Sequence, residues 1–325
     1  MLATAIAAGA VVGLAHLTGA KAIGRVFDDV DVGWVALVAA AELLTYPAYM
    51  LAYRAIAEIH GHAPLALPLV ARAVVAGFGP FAIGGGFGID KQLLHGLHED
   101  ERSARVRVLA LGALEWVVLS PIACGAAVLL LATGARVPGS LLWPWALAVP
   151  AGFLLAFWAA PPERRLPLLG SRRPEWIAQA LEGVFVLRCM LRRPGPHASM
   201  WLGALLYWAA DIAAFYGALL MFGLQPGPGR VIIAYGTGYA ATRRSLPLGG
   251  AGVTEALMTF ALYWVHQPLA PALAAVVVYR AFNLLLAAAP ALVARGQLEP
   301  LLARARELRR RERRAASALR EPRSS

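Results

Sequence analysis

Two adjacent guanidiniums, Arg243 and Arg244, stand just before a glycine run, Gly249-Gly250-Ala251-Gly252, which leads into Glu255 at the start of a new apolar stretch. Arginine presents a planar fork of donors that matches a phosphate or a carboxylate two bonds at a time. Glycines at a helix start let backbone N–H groups approach an anion and add the favourable end of the helix dipole. Together they make a cradle for a phosphate. A second reading stands beside it, in which both arginines snorkel to the membrane interface or pair with Glu255 and Asp211.

Further charges sit at suggestive spacing. Arg280 follows Glu255 by 25 positions and Glu115 follows Lys91 by 24, each pair of opposite sign. Structural ion pairs, Glu255 with Arg280 and Lys91 with Glu115, are the favoured reading. Glu42, Arg72 and Asp211 are single charges in apolar runs, positioned either to line a cavity or to sit near an interface. Enzymatic chemistry has no residue set here. There is no Gly-rich phosphate loop with a following lysine, no nucleophile elbow and no zinc-protease motif. His60 and His62, and His95 and His98, lack a third ligand at useful spacing, so neither a metal nor any other cofactor is expected.

The elements that must hold these charges are membrane helices. Of the 325 residues 59% are hydrophobic and 15% charged, with a mean hydropathy of +0.61, far from the composition of soluble domains. Apolar runs of about 18 residues or more recur along the chain, each long enough to cross a hydrocarbon core of about 30 Å. The runs are continuous and rich in Ala and Leu, which excludes the alternating pattern of a transmembrane barrel. Two cysteines, Cys124 and Cys189, do not make a disulfide framework. The expected class is therefore an all-α polytopic membrane protein. Its spanning helices fall near Leu2–Gly19, Gly33–Tyr53, Val106–Ala132, Leu141–Ala160, Met200–Phe222 and Leu269–Val293. Two further apolar regions, Pro68–Leu97 and Arg230–Val265, are broken midway by glycines and charges. Non-helical backbone at that depth survives only under protein or beside water, so each is read as a re-entrant helical hairpin.

The net charge of +11 is concentrated where it orients the chain. Pro161–His197 carries seven arginines against three glutamates, and the segment from Val293 to the end carries ten against four. Both follow long apolar runs, as cytoplasmic segments do under the positive-inside rule, and that patterning argues against nucleic-acid binding. With both placed inside, the helix count puts the N-terminus, Arg54–Pro64 and Glu99–Arg107 inside as well. Lys21–Asp31 and Gly134–Ser140 fall outside, the first hairpin opens inside and the second outside. The expected arrangement is a membrane crossed many times, with both termini cytoplasmic.

A shift of 164 positions lays Gly85–Lys91 on Gly249–Glu255 and Gly33–Tyr53 on most of Met200–Phe222; with one inserted residue, Glu115 falls on Arg280. Each half then reads as helix, helix, hairpin, helix, in opposite orientation, the usual build of a transporter with a midplane site. The organisation is a first half over residues 1–140, a helix at 141–160 opening the second, a basic linker at 161–199, the rest of the second half at 200–293 and a basic tail at 294–325. In the linker, Trp176, Ile177, Ala180, Leu181, Val184 and Leu187 recur at helical spacing over Pro174–Arg193, which predicts an amphipathic helix on the inner leaflet. The tail repeats the pattern with Leu298, Leu301, Leu302 and Leu308, and about its last ten residues are expected to be disordered.

The stretch Pro247-Leu248-Gly249-Gly250-Ala251-Gly252-Val253-Thr254-Glu255, followed 24 residues later by Tyr279-Arg280, resembles the signature of the lysylphosphatidylglycerol synthase transmembrane (flippase-like) family. That family includes the membrane half of the bacterial multiple peptide resistance factor. The first half departs from the family pattern: where members tend to show a Pro-Gly turn leading to an acid and an arginine, Gly84–Gly86 lead here to Asp90 and Lys91. The resemblance implies translocation of phospholipids, with the cytoplasmic aminoacyl-transferase of full-length members missing. The expectation is a non-enzymatic phospholipid translocator that handles the headgroup between its two hairpins. Arg243, Arg244, Gly249, Gly250, Gly252, Glu255, Arg280, Lys91, Glu115 and Asp211 are its candidate substrate-binding residues. The alternatives are a transporter of a small anionic or polar solute and an accessory membrane subunit of a lipid-modifying enzyme. The partners this reading admits are a phospholipid, the bilayer, a separate aminoacyl-transferase or other lipid-modifying enzyme, and a second copy of the chain.

Overall fold

The computed structural model describes residues 26–57, 65–78, 88–91, 93–94, 101–162, 174–239, 250 and 252–318, and every regular element among them is helical. Among the described residues five helices are long and apolar enough to cross a membrane. They are α1 (Val35–Ala57), preceded by a 3-10 turn at Val32–Trp34; α3 (Glu101–Ala132); α4 (Gly139–Ala159); α6 (Ala198–Met221); and α9 (Leu269–Ala318). They coincide with five of the six spans expected from hydropathy. The sixth, Leu2–Gly19, lies outside the described residues.

Shorter helices lie between the spans: α2 (Leu67–Phe78), α5 (Glu175–Arg192), α7 (Pro228–Tyr239) and α8 (Val253–Trp264). At about 1.5 Å per residue the twelve residues of α2, α7 and α8 reach only about 18 Å. None of these three could cross a bilayer alone. The halves of the second broken region pack side by side: a Cβ added to Gly238 of α7 would lie within 2.6 Å of the Met258 backbone nitrogen on α8. In the first broken region α2 and a helical turn at 88–91 are described, whereas the glycine tip at Gly84–Gly86 lies outside the described residues.

The tightest helix pair is α1 with α6. Gly203 lies against Ala48 and Ala52, and Gly217 against Val38. Contact positions that rise on one helix therefore fall on the other, and the pair is antiparallel. These are the helices that the 164-residue shift superimposes, and they run in opposite directions. The Asp31 amide donates to the Met221 carbonyl at 3.0 Å, which ties the start of α1 to the end of α6. At the far end Arg107 of α3, buried at 3% exposure, donates to the Ala57 carbonyl at 3.1 Å, and a cation there satisfies the last turn of α1.

Helix α4 contains a π segment at Pro144–Ala148. Pro144 and Pro150 each lack an N–H, so the ladder shifts register between them. The shift accompanies inward placement of Trp145, whose indole donates to Thr237 Oγ1 at 3.0 Å.

Helix α5 leaves Trp176, Ile177, Ala180, Leu181 and Val184 of its predicted stripe incompletely covered by protein. It packs on α3 through Gln179, Gly183, Leu187 and Met190, while Trp176 is 70% exposed. The reason is Gly183, whose missing side chain lets the helix backbone come up against Leu109 and Ala110. One expectation is corrected: α9 continues as one helix to Ala318, taking in three of the ten terminal residues expected to be disordered.

Candidate functional site

The glycines before α8 have a conformational reason. Gly250 and Gly252 take φ of +71° and +86°, a region that side chains strain to enter. Gly252 is the N-cap of α8, and Glu255, three residues on, accepts from the Gly252 backbone N–H through Oε2. That is the acidic half of a capping box. One of the amides the sequence offered to a phosphate is thus engaged by the protein's own carboxylate.

The other oxygen of Glu255 meets Arg280 of α9, at 2.8 Å from Nε, with Arg280 2% exposed. A buried guanidinium needs partners on more than one side, and Arg280 has them. Its Nη1 donates to Asn283 Oδ1 at 3.2 Å, and Asn283 Nδ2 donates to both oxygens of Glu42 on α1 at 3.1 and 3.2 Å. The bonding fixes the orientation of the amide, because its oxygen must face the donor and its nitrogen the carboxylate. The result is a buried relay Glu255–Arg280–Asn283–Glu42 that runs from α8 through α9 to α1. Thr259, one turn beyond Glu255 on α8 and fully buried, has no partner for its hydroxyl among the described residues.

Asp211, fully buried on α6, accepts from Tyr235 of α7 through one oxygen and from Tyr279 of α9 through the other, both at 2.7 Å. An edge-to-face ring series consolidates this level, from Tyr49 through Tyr207 and Trp208 to Tyr235. Glu115 of α3 accepts from the Tyr49 hydroxyl at 2.9 Å, and its backbone carbonyl accepts from the Trp208 indole at 2.9 Å.

The structure therefore brings together Glu255, Arg280 and Gly252 directly, with Asp211 held by Tyr279, the residue before Arg280. Glu115 lies on the α1–α6 side of the bundle, and Lys91 on the helical turn at 88–91 beside the buried Asp90. Arg243, Arg244 and Gly249 lie outside the described residues. Sequence reasoning missed Asn283, Tyr235 and Tyr279 as site residues and left Glu42 between a cavity-lining and an interface position. Asn283 carries a usable signal, since three positions after Arg280 puts it on the same helix face. Among the described residues no group of three or more His, Cys, Asp or Glu could hold a metal ion.

No curated protein and no solved structure matches the chain. The family model for the lysylphosphatidylglycerol synthase TM region matches residues 1–291. That match takes in every residue of the relay and of the Asp211 cluster, and through it the chain belongs to the lysylphosphatidylglycerol synthase transmembrane-region family.

Proposed function

We propose that the chain is a non-enzymatic phospholipid translocator of the inner membrane, with both termini cytoplasmic, whose headgroup site lies around the start of α8. The observation that carries this reading is the buried relay from Glu255 to Glu42. Arg280 lies about 16 Å of helix rise from the start of α9, Asp211 about 15 Å from the end of α6 and Glu255 about 14 Å from the end of α8. Half of a hydrocarbon core is about 15 Å. In a bilayer these groups sit together near the midplane, where ionisable side chains are costly and mark substrate paths. The side-by-side packing of α7 and α8 supports a re-entrant hairpin, and the sequence that connects them carries Arg243 and Arg244. The antiparallel α1–α6 pair supports two inverted halves around it. The orphan Thr259 hydroxyl is the kind of buried group that a bound polar ligand or water satisfies.

Arg243→Lys with Arg244→Lys is the test, in proteoliposomes with labelled phospholipids. A lysine keeps the charge but not the bidentate fork, so movement of phospholipids should fall by about tenfold or more, the order of one lost charge-assisted pair. A lipid without phosphate should be little affected. Wild-type rates in the double variant would mean that the arginines are interface anchors.

Topology is tested by cysteine labelling in a background without Cys124 and Cys189. Positions 172 and 314 should label from the cytoplasmic face, and 136, 226 and 267 from the opposite one. Labelling of 226 and 267 from different faces would rule out the re-entrant hairpin, because both flank it.

A further inference from the structure

A cavity of about 340 Å³ lies away from the relay, at the corner where α4 ends beside the end of α5, lined by Phe157, Trp158, Arg188, Leu191 and Arg192. Among the described residues its polar lining is cationic, with two guanidiniums and no carboxylate. Arg188 Nη1 donates to the Phe157 carbonyl at 2.6 Å, which answers the partial negative charge at the end of α4. That bond occupies one of the five guanidinium N–H groups. Arg192, one turn further along α5, is exposed.

The apolar part of the cavity has a direction. Trp158 and Leu191 are about half exposed, and Leu154 and Leu155, one turn back along α4, are 71% and 63% exposed. Helix α4 is the least buried of the five spans, with 17% of its apolar window covered by protein. In a membrane its free face is lined by acyl chains, and Trp158 at its end lies where tryptophan anchors the interface. The occupant must therefore offer an anionic head to two arginines and a hydrocarbon tail to α4.

We infer that this corner is a binding site for an anionic phospholipid, separate from the translocation path. The phosphate sits between Arg188 and Arg192, and an acyl chain runs along Leu154 and Leu155. The site clamps α5 to α4 when an anionic lipid is present. A zwitterionic lipid offers the same phosphate but brings its own cation to the arginines.

The site can be read through Trp158. The full-length chain in nanodiscs is compared with Trp158→Phe, so that the difference isolates quenching of Trp158 by lipids brominated on the acyl chain. Brominated phosphatidylglycerol should quench at a lower mole fraction than brominated phosphatidylcholine. Each arginine near the surface contributes about fivefold in lipid affinity, so Arg192→Gln should shift the midpoint by that factor. Arg188→Lys, which keeps a donor for the Phe157 carbonyl, should shift it less. Glycerol phosphate without acyl chains should not compete at the same concentrations; if it does, the site takes a free phosphate and not a lipid. Equal quenching by the two lipids, or no change in Arg192→Gln, would overturn the site. So would protection of Trp158 from both lipids in a chain that runs as a dimer, since a second copy would then cover the α4 face. Translocation by the same variants is measured alongside. Loss of the quenching preference with transport intact separates this site from the relay, and its retention in Arg243→Lys with Arg244→Lys shows that it stands without the proposed transport site.

Discussion

Replacing Glu255 with glutamine is expected to destabilise the protein strongly while leaving the side-chain shape unchanged. The carboxylate is the partner of a guanidinium that is 2% exposed, and breaking a buried pair from one side costs about 3 to 5 kcal/mol. The same substitution weakens the hold on the Gly252 amide at the start of α8. Thermal unfolding of the detergent-purified chain should show a clear drop in Tm. Arg280→Lys should fall between the wild type and Glu255→Gln. One ammonium keeps the charge but cannot reproduce the planar fork that reaches Glu255 through Nε and Asn283 through Nη1. Exchanging the two residues, Glu255→Arg with Arg280→Glu, should recover part of the loss. The recovery is partial because arginine cannot accept from Gly252 and glutamate cannot donate to Asn283. If the exchange is no better than the single variants, with all of them inserted and folded, the two residues act separately and the relay is not a unit.

The positions of the five described spans were legible because hydrocarbon thickness leaves little choice: a continuous apolar run of sufficient length has nowhere else to go. The Glu255–Arg280 pair was legible for a related reason. Two opposite charges in neighbouring apolar segments are each expensive alone, and they flank a single short connection that returns the chain beside itself. The far end of the relay offered no such cue. Glu42 and Asn283 are 241 positions apart, and their contact depends on α9 settling against α1, which a pattern within either segment does not encode. The docking of α5 was hidden by its own amphipathicity. The apolar stripe is the stronger signal in the sequence, but Gly183 permits closer approach than any stripe residue, and the packed face follows the glycine. The tyrosines around Asp211 were silent because a tyrosine in an apolar run reads equally as core or interface.

Asp211 carries the second large expectation, and it separates two roles that the sequence left open. Its oxygens are bonded to Tyr235 and Tyr279 at 2.7 Å each, so it joins α6, α7 and α9 at one level. Asp211→Ala leaves two buried hydroxyls without that acceptor, at about 1 to 3 kcal/mol apiece. The loss of Tm should therefore rival that of Glu255→Gln. Removing both hydroxyls as well, in Asp211→Ala with Tyr235→Phe and Tyr279→Phe, should restore most of the stability, because removing these two donors together with their acceptor is far cheaper than stranding them. A triple variant that stays as unstable as the single one would show that the charge of Asp211 serves a further partner, with Arg243 and Arg244 the first to examine. A triple variant that regains stability and transports lipid would make Asp211 a brace between α6, α7 and α9. One that regains stability but moves no lipid would put the carboxylate on the translocation path itself, since its packing role would already have been replaced.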